Sequence, residues 1–158
     1  MKQICIVFMV LILFSCRESS EDRTLVNFAL VSTSHTGCFG EKSVFVKDND
    51  EKFIVSSIGD ENYKIEHLNV TFNCCLYEGI AINVFVQNDT IFYTDEEKVK
   101  GYCKCVCTYN TEAEIGGISN GSYVLCFRSG EVDLGLAELN FNTEMYEEIK
   151  VSDLRDYK

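Results

Sequence analysis

Five cysteines in two tight clusters constrain this chain more than any other feature. Cys74 and Cys75 are adjacent in FNCC, and Cys103, Cys105 and Cys107 alternate in GYCKCVC. Their chemistry depends on compartment. Oxidising surroundings turn such sulfurs into staples, whereas the same density in a cytosolic chain points to metal or redox work. The N-terminus indicates which applies. Lys2 supplies a basic start, and Ile4 to Phe14 is an apolar run of 11 residues, too short for a bilayer core of about 30 Å. That is the pattern of a secretory signal peptide, to be set aside before fold reasoning.

The run ends in Leu13-Phe14-Ser15-Cys16, which resembles a bacterial lipobox, where the cysteine is acylated and becomes the mature N-terminus. The alternative is an ordinary cleaved signal followed by an unrelated cysteine. Acyl chains contribute about 0.8 kcal/mol per buried methylene, so several chains on Cys16 anchor a protein to the membrane. RESSEDRT follows, polar and acidic, with no apolar residue before Leu25. It reads as a tether, and it is similar to the surface-export signal of Bacteroidota lipoproteins. No Asp follows Cys16, as inner-membrane retention would require under the enteric rule. The expected organisation is a signal peptide over 1–15, a lipidated N-terminus and acidic tether over 16–24, and one domain over 25–158. The expected location is the outer membrane, lipid-anchored and facing outward.

Without residues 1–15 the chain keeps 13 basic against 25 acidic residues, a net charge of about −12. Nucleic acid requires a basic footprint, so no nucleic-acid partner is expected, and anionic headgroups are disfavoured for the same reason. The charge suits solubility at a crowded surface. DNDE (Asp48 to Glu51) is the densest acidic run, but it lacks calcium-loop spacing and reads as a hairpin tip.

The body alternates with a period of two, the signature of half-buried strands. Val44-Phe45-Val46 and Phe53-Ile54-Val55 flank DNDE as a hairpin. Glu66, Leu68, Val70, Phe72 and Cys74 form one face of a strand, and His67, Asn69, Thr71, Asn73 and Cys75 form the other. Ile80, Ile82, Val84 and Val86 repeat the pattern before Asn88-Asp89 and TIFYT, a second hairpin. DEEKVKG (Asp95 to Gly101) reads as a charged loop, and Tyr102 to Thr111 alternates again. Ile118 to Gly121 is a turn, Tyr123, Leu125 and Phe127 continue as a strand, and Val132 to Phe141 holds one or two more. MYEEIKVSDL fits a helical turn or a last strand. Seven to nine short strands with polar turns predict an antiparallel β-sandwich of immunoglobulin-like type, with a small β-barrel as alternative.

On a flat strand, side chains at i and i+2 lie about 6.6 Å apart on one face. Cys103, Cys105 and Cys107 would then form a row about 13 Å long. A tetrahedral zinc needs its sulfurs about 3.8 Å apart, and no Gly or Pro kinks this segment. The row therefore predicts disulfides to neighbouring strands, drawn from Cys38, Cys74, Cys75, Cys103, Cys105 and Cys107. Adjacent Cys74 and Cys75 face opposite sides and pair elsewhere. Six cysteines allow 15 connectivities, and sequence alone selects none. The alternative is a zinc or copper site built from Cys103, Cys105, Cys107, Cys74, Cys75 and His67. No CxxC in a βαβ setting supports redox catalysis.

HLNVTFNCC, NDTIFYTDEE and CKCVCTYNTEAEIGGISNGSYVLCF resemble a group of small lipoproteins of gut Bacteroidota with an FNCC segment, a CxCxC segment and a closing G-x-Y strand. The resemblance covers roughly Glu66 to Phe127. It implies a secreted β-sandwich with a cysteine staple and no established activity. Cys126 stands where an apolar residue is expected and is read as the free thiol, behaving as a small hydrophobe.

His35 and His67 are the only histidines, read as polar strand-face or loop residues with metal ligation as the alternative. No HExxH or P-loop spacing is present, no catalytic residue is nominated and no cofactor is expected. Asp89-Thr90-Ile91 resembles the Asp-Thr-aliphatic sequon for O-glycosylation in Bacteroidota, which nominates Thr90. Two function classes remain: a non-catalytic surface module binding a protein, glycan or small ligand, and a metal-handling lipoprotein.

Overall fold

A computed structural model describes residues 28–36, 50–101 and 103–155. Within these it has nine strands: β1 (Ala29–Thr36), β2 (Lys52–Gly59), β3 (Asn62–Asn73), β4 (Leu76–Gln87), β5 (Thr90–Val99), β6 (Val106–Gly116), β7 (Gly121–Ser129), β8 (Val132–Phe141) and β9 (Tyr146–Lys150). They form two open sheets, ordered β1-β6-β3-β2-β9 and β4-β5-β7-β8, which pack as a sandwich rather than close as a barrel.

The alternating apolar residues meet between the sheets. Phe53, Val55, Tyr63, Ile65 and Ile115 on the first sheet, and Ile91, Tyr93, Leu125, Phe127 and Phe141 on the second, are buried. Burying side chains of this size stabilises by about 1.5–3 kcal/mol each. The β4–β5 hairpin closes on Asn88-Asp89 as the sequence predicts. Asn88 takes φ 55°, a conformation that Asn tolerates better than most residues.

The second sheet is mixed. β5 pairs with β7 in parallel, because the chain leaves β5 for the first sheet, runs along β6 and then returns. This departs from an all-antiparallel immunoglobulin arrangement. Phe53-Ile54-Val55 has no free edge for a partner near Val44, since β2 is flanked by β3 and β9. Val44–Val46, Asp48 and Asn49 lie outside the described residues. Asp50 and Glu51 are not a hairpin tip; they lead into β2, where the Glu51 carbonyl accepts from the Val151 N–H.

Asp95 to Val99 is not a loop but the second half of β5. MYEEIKVSDL holds both of its alternatives in turn, a strand over 146–150 and a single 3₁₀ turn at Val151–Asp153. Cys103 and Cys105 stand before β6 rather than on it, so no straight cysteine row exists. β1 is an edge strand exposed along its whole length.

Candidate functional site

The residues that depart from a plain apolar sandwich gather at one end of it. There, two connections cross between the sheets: β3 to β4 through Cys74-Cys75, and β5 to β6 through Cys103–Cys105. Chain turning between sheets leaves backbone groups without ladder partners. The two corners supply them to each other. Disulfides join Cys74 to Cys105 and Cys75 to Cys103, with Cα atoms 5.7 and 5.8 Å apart, inside the usual range for a bridge. The Cys74 N–H also donates to the Cys105 carbonyl at 3.3 Å.

Asn73, the last residue of β3, completes the corner. Its Oδ1 accepts from the N–H groups of Cys75 (3.0 Å) and Cys103 (3.3 Å), and its Nδ2 donates to the Cys103 carbonyl at 2.9 Å. Its own N–H donates to Glu97 Oε2. Nothing in the sequence reading marked Asn73. The signal available was its place directly before the paired cysteines, where an Asn side chain can serve the backbone two residues on.

Cys107 is also disulfide-bonded, to a partner outside the described residues. Cys16, Cys38 and the N-terminal segments expected as signal and tether lie outside them too. Cys126 is a free thiol. It is half-buried, not sealed in the core, and burial together with the charge of Asp133 pushes its thiol up. It lines a groove of about 270 Å³ on the outer face of the second sheet, beside the stacked Phe85 and Phe92 rings.

His67 is the largest correction to the sequence reading. It is not a polar strand-face residue but is fully buried, pointing between the sheets. A bulge in β3 explains this. His67 faces Thr111 and Val70 faces Tyr109 on β6, so Leu68 and Asn69 together oppose Asn110. Asn69 sits at φ 63°, its N–H donating to Asn110 Oδ1 and its Nδ2 to the Asp50 carbonyl. An extra residue in one strand shifts the pleat by one. Tyr63, Ile65 and His67 therefore face inward, and so do Val70 and Phe72 beyond the bulge. A strict period of two had placed His67 and Phe72 on opposite faces.

His67 Nδ1 lies 2.7 Å from Asp95 Oδ2, and Nε2 lies 2.8 Å from Glu51 Oε1. Carboxylates offer only acceptors, so both ring nitrogens donate and the ring is an imidazolium. Burial on its own would lower the basicity of His67. The hydrogen bonds and charges of Asp95 and Glu51 outweigh it and hold the ring above its ordinary value. Thr111 Oγ1 donates to Asp95 Oδ2 at 3.0 Å, which leaves its lone pairs for the Tyr93 hydroxyl, 2.7 Å away. Burial and the charge of Asp95 push the Tyr93 hydroxyl far up, so it stays a donor. Phe53 stacks on His67 with centroids 4.0 Å apart, and Phe127 stacks on Phe53. Asp95 Oδ1 is buried with no hydrogen-bond partner.

This constellation binds sheets together rather than activating a nucleophile: the nitrogen that would act as a base is already on Glu51. Nor do the residues of the metal alternative converge. Cys74, Cys75, Cys103, Cys105 and Cys107 are oxidised, His67 is held by carboxylates, and no three His, Cys, Asp or Glu side chains among the described residues form a metal-holding group. His35 is exposed on β1, packed beside Gly79, where a Cβ would stand 2.8 Å from its Nε2.

Glu51 and Glu97 both line a cleft of about 450 Å³ alongside the stapled corner. Thr90 opens β5, half-buried, on the face opposite to the buried Ile91. No protein-family model, curated protein or solved structure matches the chain.

Proposed function

We propose that this chain is a lipid-anchored outer-membrane protein displayed at the cell surface, whose stapled sandwich is a non-catalytic binding module for a protein, glycan or small ligand. The observation that carries the reading is the cleft built against a corner cross-linked by two disulfides. Binding sites gain from walls that are ordered before the ligand arrives, because less ordering is left to oppose association. Disulfides of this density fit an exported chain, and the signal and lipobox pattern ending at Cys16 provides the export route and the anchor. The occupied ring nitrogens of His67 support a binding rather than a hydrolytic role.

The anchor is tested by Cys16→Ser. The variant should leave the membrane fraction and lose acyl labelling, while external protease digests only the wild-type protein on intact cells. Continued lipid attachment of the variant overturns the anchor, and protection of the wild type from external protease overturns surface display.

A further inference from the structure

We propose that the cleft beside the stapled corner takes an organic cation with an apolar body, a primary ammonium or guanidinium on a hydrocarbon or aromatic stem. This deepens the binding-module reading and rests on it. The cleft holds about 450 Å³, room for a small organic molecule, and has no Lys or Arg among the described residues of its lining. Its floor is apolar, with Phe72 buried and Leu134 packed against the core. Val106 and Val132 stand at its rim, 68% and 60% exposed. Large β-branched side chains left this open around a concavity offer contact area to an apolar ligand.

Two carboxylates supply the polar recognition. Glu51 gives one oxygen to His67 and stays about one-third exposed. Glu97 gives one oxygen to the Asn73 N–H. Each carboxylate has a second oxygen; the one cation paired with either among the described residues is the His67 imidazolium, which holds one oxygen of Glu51 and shares its charge with Asp95. A concave site lined by one sign of charge with low-dielectric walls concentrates ions of the opposite sign, and the acidic chain extends that field. Two carboxylates are too few to cage a bare metal ion, which takes six or more oxygens for calcium. An ammonium needs only one or two charged acceptors, with the remaining affinity coming from its stem.

The test uses the full mature chain with its disulfides intact, titrated by NMR with phenethylammonium chloride and, separately, with 2-phenylethanol, its neutral counterpart. The amine should shift the backbone amides of Phe72, Glu97 and Leu134, and the alcohol should bind about tenfold more weakly. Glu97→Gln keeps an acceptor oxygen for Asn73 and should fold normally while losing about tenfold in amine affinity. Equal binding of amine and alcohol overturns the proposal, as does an unchanged affinity in Glu97→Gln, or shifts confined to the Phe85–Phe92 groove. A neutral oligosaccharide that shifts the cleft amides when the amine does not would overturn the cation class while leaving the binding-module reading in place.

Discussion

His67 Nδ1 donates to Asp95 Oδ2 across 2.7 Å, joining β3 of one sheet to β5 of the other between the two sheets. Both side chains are fully buried. Removing one partner of a buried pair leaves the other charge unpaired in low dielectric, at a cost of about 3–5 kcal/mol. Asp95→Asn should cost that much, read as a lower urea midpoint with an unchanged slope. Glu51→Gln should cost less, because Glu51 is partly solvated.

The same pair makes stability depend on pH. His67 is held above its ordinary value in the folded chain by Asp95 and Glu51 against the opposing effect of burial. A raised folded value means that the contribution is complete below about pH 6.5 and is lost as pH climbs through the folded value. Thermal melts should therefore fall on the alkaline side. In Asp95→Asn that alkaline fall should shrink, and an equally steep fall would show that another group is responsible.

Disulfide mapping under non-reducing conditions should return Cys74–Cys105 and Cys75–Cys103, with Cys126 alkylatable in the unfolded oxidised chain. It should also pair Cys107 with Cys38. With the other four paired among themselves, Cys38 is the remaining partner in the set of six expected to bridge. Replacing Cys74 and Cys105 together by Ala should cost about 2 kcal/mol or less, because the Cys75–Cys103 bridge still closes nearly the same loop. Cys126→Ser should change the midpoint little.

Asn69 holds the bulge at φ 63°. Asn69→Val should cost about 1–2 kcal/mol, because a branched side chain is strained there. Asn69→Gly should stay within about 1 kcal/mol of the wild type. Comparing their urea midpoints checks this. Equal losses in the two variants would mean that the Nδ2 contact to Asp50, not the backbone conformation, holds the bulge.

Thr90 is the nominated glycosylation position. Protein made in a Bacteroidota host should carry a glycan-sized mass that Thr90→Ala removes, read by intact-mass spectrometry. An unmodified wild-type chain would remove Thr90 from consideration.

Local pattern determined much of the sandwich. Alternation set the inward residues of β4, and Asn88-Asp89 set its turn into the first half of β5, because both depend only on neighbours along the chain. Clustering of the cysteines, with an export pattern ahead of them, pointed to staples. Tertiary structure decided the rest. The bulge at Asn69 requires Asn110 on β6, so no reading of β3 alone could turn His67 inward. Asp95 looked like the start of a charged loop, yet the alternation of Ile91 and Tyr93 continues through it; only His67 and Thr111 on the opposite sheet make its burial tolerable. Cys103 and Cys105 left the strand because the chain must cross between sheets just there, and a crossing is fixed by where both sheets lie rather than by the residues that make it.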